Sequence, residues 1–77
     1  MKDFEKDLTS RLSQLLPPLV FRNYPQFREI TGYSPRTVAN FDSLGKGPKH
    51  RIRLGRVTAY PREDLVAWLL ERTKIIS

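Results

Sequence analysis

The apolar residues at the start of the chain predict an amphipathic helix over residues 2–16. They recur three or four positions apart with charged residues between them, which is the spacing of one face of an α-helix. This apolar stripe consists of Phe4, Leu8, Leu12, Leu15 and Leu16. Pro17 and Pro18 end the helix, because proline lacks the amide hydrogen that a helix needs. The stripe could pack against the rest of the domain or against a second copy of the chain.

Turn and capping residues predict a first short helix after the apolar run 19–21, which is itself too brief to assign. Asn23 is expected to cap this helix, with Pro25 in its first turn and Gln26 completing a capping box. Gly32 is expected to end it, because glycine readily adopts the left-handed conformation of a sharp helix exit.

A second short helix is predicted to begin after Ser34, which can cap it, with Pro35 in its first position. Val38 and Phe41 are expected to face the core, and Leu44 to extend that apolar edge. Two short helices joined through a glycine turn are typical of a helix-turn-helix.

The period of the apolar pattern then changes to two, which predicts a β-hairpin. Ile52 and Leu54 alternate with arginines, so we expect the aliphatic side chains to cover the core and the arginines to be exposed. Gly55 suits the first turn position of a type II′ turn. Tyr60 or Val57 of the returning strand is expected to join the core.

A final helix is predicted to begin at Pro61. Glu63 and Asp64 in its first turn are favourable near the positive end of the helix dipole. Trp68 is expected to pack in the core rather than to stack on a ligand. The predicted core consists of Phe27, Ile30, Val38, Phe41, Ile52, Leu54, Leu65, Trp68 and Leu69.

The net charge of the chain is +6 over 77 residues, and it is concentrated in one segment. Residues 46–62 contain six basic residues and no acidic residue, so this segment accounts for the entire net positive charge. A solvated basic face is the ordinary interpretation of scattered charge. A cluster this dense instead favours a polyanionic partner that neutralises it.

The composition argues against several functional classes. Without cysteine there is no disulfide or thiolate zinc site, and His50 alone cannot form a zinc site. No apolar run approaches the roughly 20 residues of a membrane span, and the N-terminus lacks the layout of a signal peptide, so we expect a cytoplasmic protein. No nucleophile–base pair, phosphate loop or metal motif is present. We therefore expect no enzyme activity, no cofactor and no small-molecule ligand.

The exposed side of the second short helix is a candidate DNA-binding surface. Arg36 and Asn40 are candidates for base contacts, because arginine can bond guanine bidentately and asparagine can do the same with adenine. Ser34 and Thr37 are candidates for backbone contacts near the helix N-terminus, and Pro35 belongs to the same side. The alternative is an ordinary polar surface helix.

The hairpin is a second candidate surface. It would present Arg51, Arg53 and the tip residue Arg56 in a row, suited to phosphates or to a minor groove. A charged strand edge that prevents aggregation is the alternative, but lysine would serve that purpose equally well, whereas arginine favours bidentate phosphate contacts. Lys49 and His50 extend the candidate set, although His50 could equally be a bystander.

Two stretches resemble a known family. TGYSPRTVANF, residues 31–41, and GPKHRIRLGRVTAYPREDLVAWLLER, residues 47–72, are similar to the excisionase-like, MerR-type winged-helix family, which includes AlpA-type regulators and phage excisionases. The resemblance covers about residues 20–72. The chain departs from the family pattern in the first short helix, where it has Phe27 and Arg28 instead of the small alanines that are common in the family.

The resemblance implies an α+β, mostly helical fold. This fold is a winged helix-turn-helix with a two-stranded basic hairpin as the wing, preceded by an extra N-terminal helix. Residues 1–18 would form that helix and its Pro-Pro linker, residues 19–73 the DNA-binding domain, and residues 74–77 a tail. The second short helix would enter the major groove, and the hairpin would contact the flanking backbone or minor groove.

The expected function is sequence-specific binding of double-stranded DNA. The resemblance implies first an excisionase of a phage or integrative element, which bends attachment-site DNA and directs a site-specific integrase towards excision. We also expect the chain to associate with further copies of itself on DNA. We do not expect a membrane partner. A small transcriptional regulator is the alternative that uses the same surface. A protein-interaction adaptor and an RNA-binding module are the alternatives from other classes.

Overall fold

A computed structural model describes residues 2–72 of the chain. These residues form four helices and one three-stranded antiparallel sheet, so the fold is α+β and about half helical. The elements in chain order are α1 (Lys2–Leu15), β1 (Leu19–Phe21), α2 (Phe27–Thr31), α3 (Pro35–Ser43), β2 (Ile52–Leu54), β3 (Val57–Pro61) and α4 (Arg62–Glu71). The predicted tail, residues 74–77, lies outside the described residues. No helix among residues 2–72 is long and apolar enough to cross a membrane.

Helix α1 confirms the predicted amphipathic helix, and its apolar stripe packs in part on its own domain. Leu12 packs against the core, and Leu16 just beyond the helix is buried. The guanidinium of Arg62, at the start of α4, donates to two carbonyls at the end of α1, at 3.3 and 3.2 Å. These bonds satisfy acceptors that a helix end leaves unpaired. Phe4 and Leu15 are more than half exposed, so the stripe also reaches solvent.

The sheet contains a strand that the apolar pattern did not identify. Strands β1 and β2 both pair antiparallel with β3, which is therefore central in the order β1–β3–β2. Val20 of β1 is opposite Tyr60 of β3, and both side chains are fully buried. Three apolar residues are too few to show strand alternation. Residues 19–21 form a strand because they pair with an edge of β3 and because α4 packs against both β1 and β3.

Helix α2 begins later than predicted, at Phe27. Asn23 and Pro25 lie in the preceding turn, so the expectation that Asn23 caps the helix and Pro25 occupies its first turn is wrong. Gln26 is at the capping position, but its side chain makes no capping hydrogen bond. The amide of Phe27 instead donates to the carbonyl of Tyr24 at 2.9 Å. The residues that were expected to begin the helix therefore form a turn before it.

Helix α3 begins where it was predicted to begin, after Gly32 and Ser34. Gly32 closes α2 with a φ of 79°, which is the left-handed conformation that favours glycine. Ser34 caps α3 and Pro35 is its first residue. Val38 is fully buried, as predicted. Leu44 is 68% exposed and does not extend the apolar edge, because α3 ends one residue earlier and Leu44 leaves the helical face.

The hairpin forms as predicted, but its first strand is exposed. Gly55 has a φ of 64° and Arg56 does not have a positive φ, a combination that fits a type II′ turn. Ile52 and Leu54 are 38% and 47% exposed, so the expectation that they cover the core is wrong. Strand β2 is at the edge of the sheet, while α4 packs against β1 and β3, so the aliphatic residues of β2 extend beyond the core.

The core lies between the sheet and the helices. Its buried residues are Leu16, Val20, Phe27, Val38, Tyr60, Leu65, Val66, Trp68 and Leu69. Trp68 is 4% exposed, which confirms its predicted core position, and its indole N–H donates to the carbonyl of Lys46 at 2.8 Å. Ile30 and Phe41 are partly buried and pack against this cluster.

Candidate nucleic-acid interface

The N-terminus of α3 is organised by two hydroxyl groups. The hydroxyl oxygen of Ser34 accepts from the amide of Thr37 at 3.1 Å, and the two hydroxyl oxygens lie 2.9 Å apart. The Ser34 and Thr37 side chains, both predicted to contact DNA backbone, therefore already form the cap of the helix. Pro35 beside them is half-buried.

One face of α3 carries the polar side chains predicted to contact bases. Arg36 and Asn40 are both exposed and are four residues apart, so they lie one above the other on the helix surface. Ala39 lies beside them on the helix surface and is partly exposed. Val38 faces the opposite way into the core, which fixes the rotation of this face towards solvent.

The hairpin presents two of its three arginines freely. Arg53 and Arg56 are exposed and form no ion pair with any carboxylate among the described side chains. The Nε of Arg53 donates to the carbonyl of Gly55 at 3.3 Å, which directs this side chain along the hairpin. Arg51 precedes β2 and turns towards α3, where its Nη1 donates to the carbonyl of Asp42 at 3.1 Å. The predicted row of three is thus two exposed arginines and one that bridges to the helix.

The two remaining candidates at the start of the hairpin differ from each other. Lys49 is exposed and forms no ion pair among the described side chains. His50 is 63% exposed, and its Nδ1 lies 2.7 Å from a carboxylate oxygen of Asp64 in the first turn of α4. His50 therefore connects the base of the hairpin to α4.

A buried cluster behind this surface was missed by the sequence analysis. Asp42 in α3 is 6% exposed, and its carboxylate accepts from the Nη2 of Arg22 at 2.5 Å and from the hydroxyl of Tyr60. The Nε of Arg22 also donates to the Tyr60 hydroxyl, at 2.7 Å. This Asp42 cluster joins the end of β1, the middle of the sheet and the last turn of α3.

Burial and charge shift the pKa values of two members of the Asp42 cluster. Burial, reinforced by the hydrogen bond to Asp42, raises the pKa of the Tyr60 phenol from 10.0 to about 12. For Arg22, burial by itself would lower the pKa, but the hydrogen bonds to Tyr60 and Asp42 raise it overall. Tyr60 therefore remains a neutral donor and Arg22 a cation at neutral pH.

The sequence contains one signal that points to the Asp42 cluster. Asp42 follows Val38 by four residues, so it belongs to the buried face of α3. An acid at such a position needs a partner, because a buried unpaired charge is costly. The identity of that partner could not be inferred, since Arg22 and Tyr60 are 20 and 18 residues away along the chain.

The loop after α3 packs closely against Asp42. A Cβ atom at residue 47 would overlap the carboxylate of Asp42 and lie 2.9 Å from its Cγ. Gly47 is therefore required by space rather than by its backbone angles. Close approach here positions the loop that leads from α3 to the hairpin.

Comparisons with known proteins add no relative. A scan against protein-family models, a search of curated proteins and a search of solved structures each found no match. Within residues 2–72 no group of three or more His, Cys, Asp or Glu side chains could hold a metal ion.

Proposed function

We propose that this chain binds double-stranded DNA as a winged helix-turn-helix protein. In this proposal α3 enters the major groove, and the β2–β3 hairpin is the wing that contacts the adjacent backbone. The observation that carries the proposal is a set of exposed cations without acidic partners among the described side chains, on the hairpin, on the loop before it and at Arg36 of α3.

The distribution of ion pairs supports a polyanionic partner. Lys46, Lys49, Arg53 and Arg56 all lack an acidic partner among the described side chains, and so does Arg36 on α3. The nearby carboxylates are engaged elsewhere: Asp42 inside its cluster and Asp64 with His50. Uncompensated cations repel one another, and neutralisation by phosphates would relieve this repulsion and release counterions.

The dimensions of α3 suit a major groove. An α-helix with its side chains is about 10–12 Å across, and the groove is about 12 Å wide, so α3 can enter it. Arg36 and Asn40 would approach base edges from its exposed face, where they can form bidentate bonds with guanine and adenine. The wing arginines would fix the position of the helix along the duplex without selecting sequence.

The packing of the aromatic residues argues against the two rivals from other classes. Tyr33, Phe41 and Trp68 contact one another, with ring centroids 5.3–6.3 Å apart, so these rings are used for packing. RNA-binding modules commonly stack bases on exposed rings. Burial of Trp68 also removes one of the two surfaces expected for an adaptor, while the other, the apolar stripe of α1, is partly exposed.

Within DNA binding, we propose the role of an excisionase. The resemblance of residues 31–41 and 47–72 to the excisionase-like family supports it. A transcriptional regulator would use the same surface. Excision of a marked attachment-site substrate by an integrase, with and without this chain, distinguishes the two roles, because a regulator would leave the yield unchanged.

DNA binding is tested by selecting bound duplexes from a random-sequence pool and measuring affinity for the selected site. Arg36→Ala is expected to weaken binding to the selected site by about 1–3 kcal/mol and binding to unrelated duplexes less. Arg56→Ala is expected to weaken both equally and to lower the salt slope by about one unit. Lys6→Ala on α1 is the control for the loss of one charge. Failure to retain any duplex would refute the proposal.

A further inference from the structure

A cleft between α3 and the hairpin contains three arginines. It has a volume of about 350 Å³ and is lined by Arg22, Arg51 and Arg53, with Asp42 as its carboxylate. Three guanidinium groups and one carboxylate leave an excess of two positive charges in a small concave space. Such a space favours an anion, because low-dielectric walls concentrate the field of the charges that line it.

Two of these arginines are held in position by the protein. Arg22 is fixed by its bonds to Tyr60 and Asp42, and Arg51 by its bond to the carbonyl of Asp42. Their side chains are still 24% and 56% exposed. Each guanidinium has five N–H donors, so donors remain for an oxygen that enters the cleft. Side chains that are already ordered lose less entropy on binding, which favours affinity.

The other walls of the cleft are formed by Ile52 of β2 and by three small residues. Ala39 and Ser43 line it from α3, one turn apart, and Ala39 is adjacent to Asn40 on the proposed base-contacting face. Thr58 lines it from the central strand β3. The Thr58 hydroxyl forms no hydrogen bond with the described side chains or backbone, so it is available as a further donor. The cleft is therefore continuous with the face of α3 that carries Arg36 and Asn40.

We propose that this cleft binds one phosphodiester group of the DNA backbone, with Arg22, Arg51 and Thr58 donating to its oxygens. The inference rests on the proposed DNA binding and deepens it. It adds Arg22, which lies outside the basic segment 46–62, and the uncharged Thr58. A phosphate held at the junction of helix and wing fixes the depth and register of α3 in the groove.

Salt-dependent binding to a short duplex tests the assignment with two variants. Arg51→Gln is expected to lower the slope of log K against log salt concentration by about one unit. Thr58→Val removes a hydroxyl without changing charge, so affinity is expected to fall about three- to tenfold while the slope stays the same. Lys6→Gln, a loss of one exposed charge on α1, is expected to change neither. Thermal unfolding verifies that each variant is folded.

A duplex with one neutral methylphosphonate, moved along the selected site, identifies the phosphate. At one position the methylphosphonate is expected to weaken binding of the wild type distinctly more than binding of Thr58→Val. The reason is that the methylphosphonate and the substitution each remove the same contact. Equal losses for both proteins at every position, or unchanged affinity in Thr58→Val and Arg51→Gln, would overturn the inference. So would an effect of Thr58→Val on the binding of inorganic phosphate with none on DNA. A wild-type chain that binds no duplex would instead refute the proposed function itself.

Discussion

Asp42 connects three separate parts of the chain through one residue. Its carboxylate accepts from Arg22 and Tyr60, and its carbonyl accepts from Arg51. Sequence alone indicates that residue 42 is on the buried face of α3. It does not indicate the partners, because a contact across 20 residues depends on how the sheet and helix are assembled. For single residues, the sequence therefore predicted burial and local interactions but not contacts between residues far apart in the chain.

Replacing Asp42 with Ala is expected to lower the free energy of unfolding by about 2–4 kcal/mol. The reason is that Arg22 and Tyr60 would keep largely buried polar groups without their acceptor. The matched control is Asp7→Ala, which removes a carboxylate from the exposed pair with Arg11 at 2.9 Å. That loss is expected to cost less than about 1 kcal/mol. Urea unfolding followed by Trp68 fluorescence measures both, and equal costs would contradict the role of the cluster.

Tyr60 is expected to make stability depend on alkaline pH. Because its pKa rises from 10.0 to about 12 on folding, the folded state favours the protonated phenol. This contribution is fully present below pH 10.0 and is lost as pH rises through about 12. Over that interval we expect the free energy of unfolding to fall by about 2 kcal/mol more in the wild type than in Tyr60→Phe. Urea unfolding at a series of pH values measures the difference, and parallel curves would disprove it.

Among the elements, three of the local signals were confirmed, whereas the cap expected at Asn23 and the features that depend on packing were not. The cap at Ser34, the exit at Gly32 and the turn at Gly55 follow from backbone chemistry within a few residues, and all three occur. The exposure of β2 and the pairing of β1 depend on where α4 covers the sheet, which alternation along a strand does not encode.

The loop between α3 and β2 provides a test at the scale of elements. Gly47→Ala is expected to destabilise the domain by about 1–3 kcal/mol, because the added methyl group overlaps Asp42 and must displace it. In an Asp42→Ala background the same change is expected to cost little, so the two costs should not add. Chemical unfolding of the two single variants and the double variant measures this. Additive costs would mean that Gly47 is needed for another reason.

For the whole molecule, the sequence predicted the α+β class and the number of helices but a two-stranded rather than a three-stranded sheet. The domain measures 39 × 24 × 19 Å. A single recognition module of this kind buries about 600–1,000 Å² on DNA, which is little for selecting one site in a genome. Several copies on neighbouring sites would enlarge the contact.

We therefore expect a monomer in free solution and cooperative binding on DNA that carries repeated sites. The charge concentrated in residues 46–62 is expected to keep free copies apart, and the proposed contact with DNA would neutralise it. Titration of a long fragment against one isolated site, followed by gel shift, measures the cooperativity. Equal affinity per site on both fragments, with one shifted species on the long one, would mean that the protein acts alone.

In evolutionary terms, the contact between Asp42 and Gly47 makes two positions depend on each other. A lineage that keeps the acid at residue 42 has no room for a side chain at residue 47, whereas one that replaces the acid is free to gain one there. Descendants of a common ancestor should therefore carry a side chain at residue 47 only where Asp42 has been replaced. This dependence between the two positions would help to identify distant relatives even where the rest of the sequence has diverged.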